Sequence, residues 1–463
     1  MKLNRAFSCL LVLLSVTFAI VAMIFIVGTL RYGGSENFIR RVRIEIMARW
    51  PHPNLVPTPL ATANGKIASS LRGSDIFPEA PTSNVATDAQ AAGQAEPATP
   101  RSDAATDAQA AGQAGPATPR SDAATNMQAA GQEKPATPTP AYRAAAPSVQ
   151  LTGLSHIWQT WNNCGPANLA MYLSYYGSRL TQADVAAALR PYEDDKNVGP
   201  EEMAVFARSQ GFNALVRVNG DADRLRLLLS NGILVLIETW HEPEPNNGMG
   251  HYRLLVGYDD VKREWIAYDS YDTKGLDFSK PYSGIHVPYD EMDRLWAVFN
   301  RTYLLIYSDK FAPAVEGILG EDMDEASMWQ RALQNALAEA QARPEDPFAW
   351  FNLGSDLVAL GQFEQAAMAY DRARQLGLPW RMLWYQFGPF KAYYETARYQ
   401  EVVALADATI KTTKSIEEIY YWKGIALKAQ GDLTKARKAW QRALELNPNY
   451  AEAAEALAEM EGR

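Results

Sequence analysis

Cysteine is scarce in this chain: there are two, Cys9 inside an apolar run and Cys164 near the middle. Two thiols so placed build neither a disulfide scaffold nor a cysteine-based zinc site, so any chemistry at Cys164 is that of a lone thiol. Basic charge is also lacking. Lys and Arg number 44 against 53 Asp and Glu, a formal charge of −9, which leaves no electrostatic footprint for a nucleic-acid backbone. What the chain has is globular. Over 463 residues it is 47% hydrophobic and 21% charged, enough for a sizeable core and for two or three domains at about 100 to 200 residues each.

The first apolar run, Phe7 to Leu30, carries no charged residue. As a helix it would measure roughly 36 Å, enough to cross a hydrocarbon core of about 30 Å. It is longer than the apolar part of a cleaved signal, about 7 to 15 residues, so we read residues 1–31 as an uncleaved single-pass transmembrane anchor. Arg31, Arg40, Arg41, Arg43 and Arg49 follow the run and by the positive-inside count favour a cytoplasmic downstream side. The next feature argues for the opposite orientation. After a juxtamembrane segment, 32–80, three near-copies of a 19-residue spacer begin at Ala86, Ala105 and Ala124. They hold almost no branched apolar or aromatic side chains, so residues 81–146 read as a disordered Ala/Thr/Pro-rich linker. A spacer of this kind acts as a stalk and favours extracytoplasmic folded domains.

Folded character resumes near Val149. Within SHIWQTWNNCGPANLAMYLSYYG, Cys164 precedes Gly165 and Pro166, apolar residues follow at helical spacing, and Gly177 closes the segment. Proline suits a first helical turn and glycine the residue after the last one. Cys164 therefore sits at a helix N-terminus, whose dipole favours a thiolate, and is a candidate nucleophile rather than a small buried hydrophobe.

A nucleophilic thiol needs a base, and the histidines are His52, His156, His241, His251 and His286. His52 lies in a proline-rich stretch and His156 is close upstream of the Cys164 helix. The stretch HYRLLVGYDDVKREWIAYDS reads as a β-hairpin; with its turn centred on Asp260, His251 falls opposite Asp269 at the open end. A carboxylate beside an imidazole fixes its tautomer and stabilises the imidazolium, so Cys164, His251 and Asp269 make a catalytic set, with His241 the rival base. Gln159, five residues before Cys164, is placed to stabilise an oxyanion together with the Cys164 backbone N–H.

These residues resemble a family, the papain-fold cysteine peptidases related to the double-glycine peptidases that process bacteriocin leaders. A Gln shortly before a Cys-Gly pair, then a His at a strand start and an Asp after the next strand, is matched in order by Gln159, Cys164 with Gly165, His251 and Asp269 over about Pro147 to Lys310. The resemblance implies an α+β papain-like domain, 147–310, acting on a peptide or protein substrate with no cofactor and no metal. The leader-processing members carry transporter and ATPase parts that are missing here, so the double-glycine substrate does not carry over. Helices are expected at Thr181 to Leu189, Pro200 to Gln210 and Asp223 to Leu229. Strands are expected at Ile233 to Thr239, Tyr252 to Tyr258, Glu264 to Tyr268 and Thr302 to Tyr307. The polar loop with Glu242, Glu244, Asn246, Asn247 and Gly248 is a candidate cleft wall.

After a link at 311–325, residues 326–463 change period. Trp350, Leu353, Gly354, Leu357, Gly361, Ala366, Tyr370 and Ala373 fall at tetratricopeptide-repeat positions, and Gly424, Leu427, Gly431, Ala436, Trp440, Ala443 and Pro448 repeat them. Trp384 and Gly388 mark a degenerate middle copy, with Pro389 expected inside its first helix. The resemblance implies an all-α module with a protein partner. Because apolar periodicity closes separately in the two parts, they are expected to fold independently. We therefore expect a membrane-anchored, single-pass cysteine peptidase working through a thioester. Two other readings stand beside it: an inactive papain-like peptide receptor, and a thiol amidase or acyl transferase.

Overall fold

The computed structural model describes residues 17, 18, 20–29, 35, 38, 39, 42, 55–60, 141–192, 194–242, 248–460 and 462. Most of the expected linker and about half of the run Phe7 to Leu30 lie outside them, as does His52. Among the described residues no helix is long and apolar enough to cross a membrane.

The expected α+β part is built on a sheet in which every neighbouring pair is antiparallel. Its strands are β1 (Ser148–Gln150), β2 (Asn213–Arg217), β3 (Val235–His241), β4 (Met249–Asp259), β5 (Glu264–Asp269), β6 (Ile285–Pro288) and β7 (Tyr303–Tyr307), in the order β2-β7-β3-β4-β5-β6. The long β4 needs two partners on one side. β3 covers it as far as Leu255, and β1 takes over from Gly257.

Helices lie on both faces. α1 (Cys164–Ser174), α2 (Gln182–Leu189) and α3 (Pro200–Ser209) bury Leu169, Met171, Val185, Met203 and Ala207 against Tyr252, Leu254 and Val256. On the other face, α4 (Ala222–Ser230), α5 (Tyr289–Ala297) and α6 (Ala312–Leu319) bury Leu225, Leu228, Met292, Val315 and Ile318 against Leu255, Trp265 and Leu305. The stretch expected to be a link thus carries α6, whose apolar residues complete the peptidase core. At the other end the expected linker stops early. The Arg143 N–H donates to Asn231 Oδ1 at 2.8 Å and the Ala146 N–H to Ser230 Oγ at 3.0 Å, because the carbonyls and side chains at the end of α4 offer acceptors there.

The C-terminal region is helical and repeat-built: α7 (Glu325–Ala342), α8 (Pro347–Ala359), α9 (Phe363–Gln375), a 3₁₀ turn Trp380–Trp384, α10 (Gly388–Glu395), α11 (Tyr399–Thr412), α12 (Glu417–Ala429), α13 (Leu433–Leu446) and α14 (Ala451–Met460). Its small-to-large packing is tight; a Cβ on Gly354 would stand 2.7 Å from the Tyr370 ring. In the degenerate copy, Pro389 opens the short α10 instead of interrupting a longer helix, since proline needs no hydrogen-bond partner in a first turn.

Independent cores were expected, and the structure corrects this. Trp240, Leu295, Val298 and Phe299 of the α+β part share one apolar cluster with Trp350, Phe351 and Tyr370 of the repeats. Asn352 Nδ2 donates to the Ala297 carbonyl at 2.6 Å. The repeats supply the aromatic surface that covers the end of β3 and the C-terminal end of α5.

Candidate active site

Cys164 is the first residue of α1. The loop in front of it is shaped by Asn162, whose φ of 54° is left-handed, and is clamped by buried Arg190. Arg190 Nε donates to Asn163 Oδ1 at 3.1 Å and Nη2 to the Trp161 carbonyl at 3.0 Å. Gly165 lets α1 approach Val198, which a Cβ there would meet at 3.2 Å. The thiol is free and partly exposed, and the first-turn N–H groups of Cys164 and Gly165 have no acceptor within the helix.

His251, near the start of β4, is 3% exposed, and Asp269, the last residue of β5, is fully buried. Imidazole Nε2 lies 2.9 Å from Asp269 Oδ1, which leaves Nδ1 as the ring nitrogen free for Cys164, whose proximity helps to favour the charged ring. The expected direct opposition is not the observed register. Asp269 pairs with Arg253, while His251 pairs across β3 with Thr239. The turn lies further along the chain than one centred on Asp260, between Val261 and Lys262, because Asp259 pairs with Glu264. A bulge at Val256, between the pairs Leu255–Ala267 and Gly257–Ile266, then shifts the register by one. Without it, Asp269 would lie opposite Leu254 and face away from His251, since side chains alternate along a strand.

The carboxylate is fully partnered. Oδ2 accepts from Arg253 Nε at 2.9 Å, and Oδ1 also accepts the N–H groups of Tyr271 and Asp272 at 2.7 Å each. Burial alone would raise its pKa, but His251, Arg253 and these N–H groups together hold it well below the usual carboxylate range. For His251, burial works against the charged ring; Asp269 outweighs this by charge and hydrogen bond, with Cys164 helping, and the pKa is pushed up to about 9. His241 behaves oppositely. Burial first, then the His251 and Arg253 charges, bring it down to about 4, and its ring centroid is 5.8 Å from that of His251. His156 Nε2 donates to the Asp269 carbonyl at 2.8 Å, and His286 is an exposed residue of β6 beside Glu264.

Gln159 is held by Ser270: its Oε1 accepts from Ser270 Oγ at 2.8 Å, and its N–H donates to the Ser270 carbonyl at 2.9 Å. Ser270 Oγ in turn accepts from Asn168 Nδ2 at 3.1 Å. Oε1 is so engaged, which leaves Nε2 as the amide's donor, and Gln159, Cys164 and His251 line one cavity of about 320 Å³. The opposite wall comes from the repeats. It consists of Arg381, Trp384 and Tyr385 from the 3₁₀ turn and its end, and residues 410–415 after and within the last turn of α11. The Tyr385 ring sits where a Cβ on Gly250 would be 3.1 Å away. Residues 243–247 of the polar loop expected as a cleft wall are outside the described residues.

Sequence reasoning did not single out Arg253, Ser270, Asn168 or Tyr385. Arg253 carried a signal, being a charge two residues from His251 in an otherwise apolar strand, and so did Asn168, a lone amide within an apolar helix. Among the described residues no group of three or more His, Cys, Asp or Glu side chains is arranged to hold a metal ion. A partly exposed thiol, an imidazole that holds a proton strongly, a buried carboxylate behind it and amide donors beside it are together suited to acyl transfer through a thioester.

Residues 145–284 match the model of the Peptidase_C39 like family, and residues 417–450 match that of the tetratricopeptide repeat. Both agree with the resemblance drawn from the motifs. No curated protein matches the chain. Among solved structures, a putative C39-like peptidase from Bacillus anthracis is 17% identical and covers 35% of this chain and 98% of its own, with a TM-score of 0.28. MamA from Desulfovibrio magneticus RS-1 is 20% identical, with 29% and 74% covered and a TM-score of 0.26.

Proposed function

We propose that the chain is a cysteine peptidase that hydrolyses a peptide bond through a thioester at Cys164. The observation that carries this reading is the arrangement in one cleft: Cys164 and His251 line the same cavity, and His251 is bonded to the buried Asp269 at 2.9 Å. In this mechanism the Cys164 proton passes to His251, and the thiolate sulfur attacks the substrate carbonyl carbon. The tetrahedral oxyanion is met by Gln159 Nε2 and the Cys164 backbone N–H. Collapse breaks the C–N bond, His251 gives its proton to the leaving amine, and water then cleaves the thioester with His251 taking and returning a proton. Asp269 orients the imidazole and stabilises its cationic form throughout.

The tetratricopeptide repeats extend this reading in two ways. They form part of the substrate cleft, and their remaining surface is the place for a protein partner. On grounds of sequence alone, the apolar run Phe7 to Leu30 adds a membrane anchor. The test of turnover is a Cys164→Ala substitution in the full chain, with hydrolysis of a peptide library and thermal melting measured together. Loss of all hydrolysis with unchanged melting is the expected result. Retained hydrolysis overturns the mechanism, and a wild-type protein that binds peptides in the cleft without cleaving any favours a receptor.

A further inference from the structure

Six residues far from the peptidase part in sequence are seated on the repeats. Leu55 forms an antiparallel bridge with Pro379, and the Val56 N–H donates to the Leu378 carbonyl at 2.8 Å. The Val56 side chain is 3% exposed and belongs to the same apolar cluster as Leu353, Leu383 and Phe390. A buried ion pair frames the segment. Arg374 Nη1 donates to Glu401 Oε1 at 2.7 Å, and each partner spends another atom on residues 55–60: Arg374 Nε donates to the Pro57 carbonyl and Glu401 Oε2 accepts the Leu60 N–H, both at 2.8 Å. Both charges are thus hydrogen-bonded at positions that the pair alone leaves open, which is what a buried ion pair requires.

We infer that residues 55–60 are a peptide latch bound in cis: an extended, proline-bearing segment that occupies the repeat surface between the 3₁₀ turn Trp380–Trp384 and α11. The extended form suits Leu-Val-Pro-Thr-Pro-Leu, because each proline holds its own φ near the polyproline value and biases the residue before it toward extended backbone. The inference does not depend on turnover at Cys164. It changes the meaning of the 19-residue spacers. Chain enters them from Leu60, tied to Glu401, and leaves them at Arg143, tied to Asn231. They connect two points of attachment on one folded body, instead of spacing that body from the N-terminal run. Leu55, Val56 and Pro57 line one small cavity with Leu383, Thr409 and Thr412, and the elements bearing those residues present Trp384, Tyr385 and Lys411 to the cleft.

The test uses the full chain in mild detergent, with a site-specific protease sequence inserted between Ala105 and Ala123. After cleavage, the N-terminal fragment is expected to co-elute with the body in gel filtration. Val56→Asp places an unpaired carboxylate in the buried position and should lower the co-eluting fraction by at least about tenfold. Thr58→Asp, at an exposed position of the same segment, should leave it unchanged. Release of the wild-type fragment overturns the latch. So does equal retention of the wild-type and Val56→Asp fragments, which would mean that other contacts hold the N-terminus, and so does equal release by Thr58→Asp.

Discussion

Arg253 stands directly opposite Asp269 across β4 and β5, and its Nε donates to Asp269 Oδ2 at 2.9 Å while His251 reaches Oδ1 from the diagonal position. The guanidinium also donates through Nη1 to Thr239 Oγ1 at 2.9 Å, and Thr239 Oγ1 donates to the His251 carbonyl at 2.8 Å. One arginine therefore fixes the carboxylate and, through Thr239, the strand that carries the base.

Replacing Arg253 by Met leaves the buried Asp269 with one cation fewer. Breaking one partner of a buried charged network costs about 3 to 5 kcal/mol, so urea unfolding of Arg253→Met should show a loss of that order, and Arg253→Lys a smaller one. A cost near zero would mean that the two N–H groups on Oδ1 suffice to hold the carboxylate.

Stability should depend on pH through His251. Its folded pKa, about 9, is raised above the ordinary 6.5, so its contribution is complete below about pH 6.5 and is lost as pH rises through 9. At about 1.4 kcal/mol per unit this is on the order of 3 kcal/mol. Thermal melts of the wild type should fall between pH 6.5 and 9, and His251→Gln should flatten that slope. Asp269, whose pKa is lowered, has the opposite sign: its contribution is present above the ordinary carboxylate pKa and is lost as pH falls. Equal slopes in wild type and His251→Gln would contradict a charged imidazole.

Gln159 and Ser270 separate donation from positioning. Gln159→Ala should reduce kcat by about 10²- to 10³-fold with KM little changed, the range for one oxyanion donor. Ser270→Ala frees the amide to rotate and should give a smaller reduction in kcat, again without a change in KM. If KM rises and kcat holds, Gln159 binds the ground state and another group meets the oxyanion.

The repeats should be needed for hydrolysis. A fragment of residues 141–323 would expose Trp240 and Phe299 and lose Tyr385 and residues 410–415 from the cleft. Such a fragment should be insoluble or inactive beside an active full chain. A soluble, fully active short fragment would reduce the repeats to a recruiting module. In the full chain, Tyr385→Ala should raise KM for peptides with little effect on Cys164 alkylation by a small electrophile.

By itself the sequence determined the local features. The Cys-Gly-Pro start of α1, the hairpin strands around His251 and Asp269 and the helical-repeat period were legible, because proline, glycine and apolar spacing act within a turn or a strand. It also displayed the short strands β1, β2 and β6 too weakly to be recognised, since three to five residues carry almost no period and their pairing partners are distant. The register was decided by the tertiary structure. One extra residue at Val256 turns Asp269 toward His251, and no alternation pattern within either strand reports a bulge. The union of the two folded parts was decided there as well. Trp350, Phe351 and Tyr385 look like ordinary repeat aromatics in sequence, and only the packing of Trp240 and Phe299 against the repeats makes them one core and one cleft, because buried apolar area has no address until both surfaces meet.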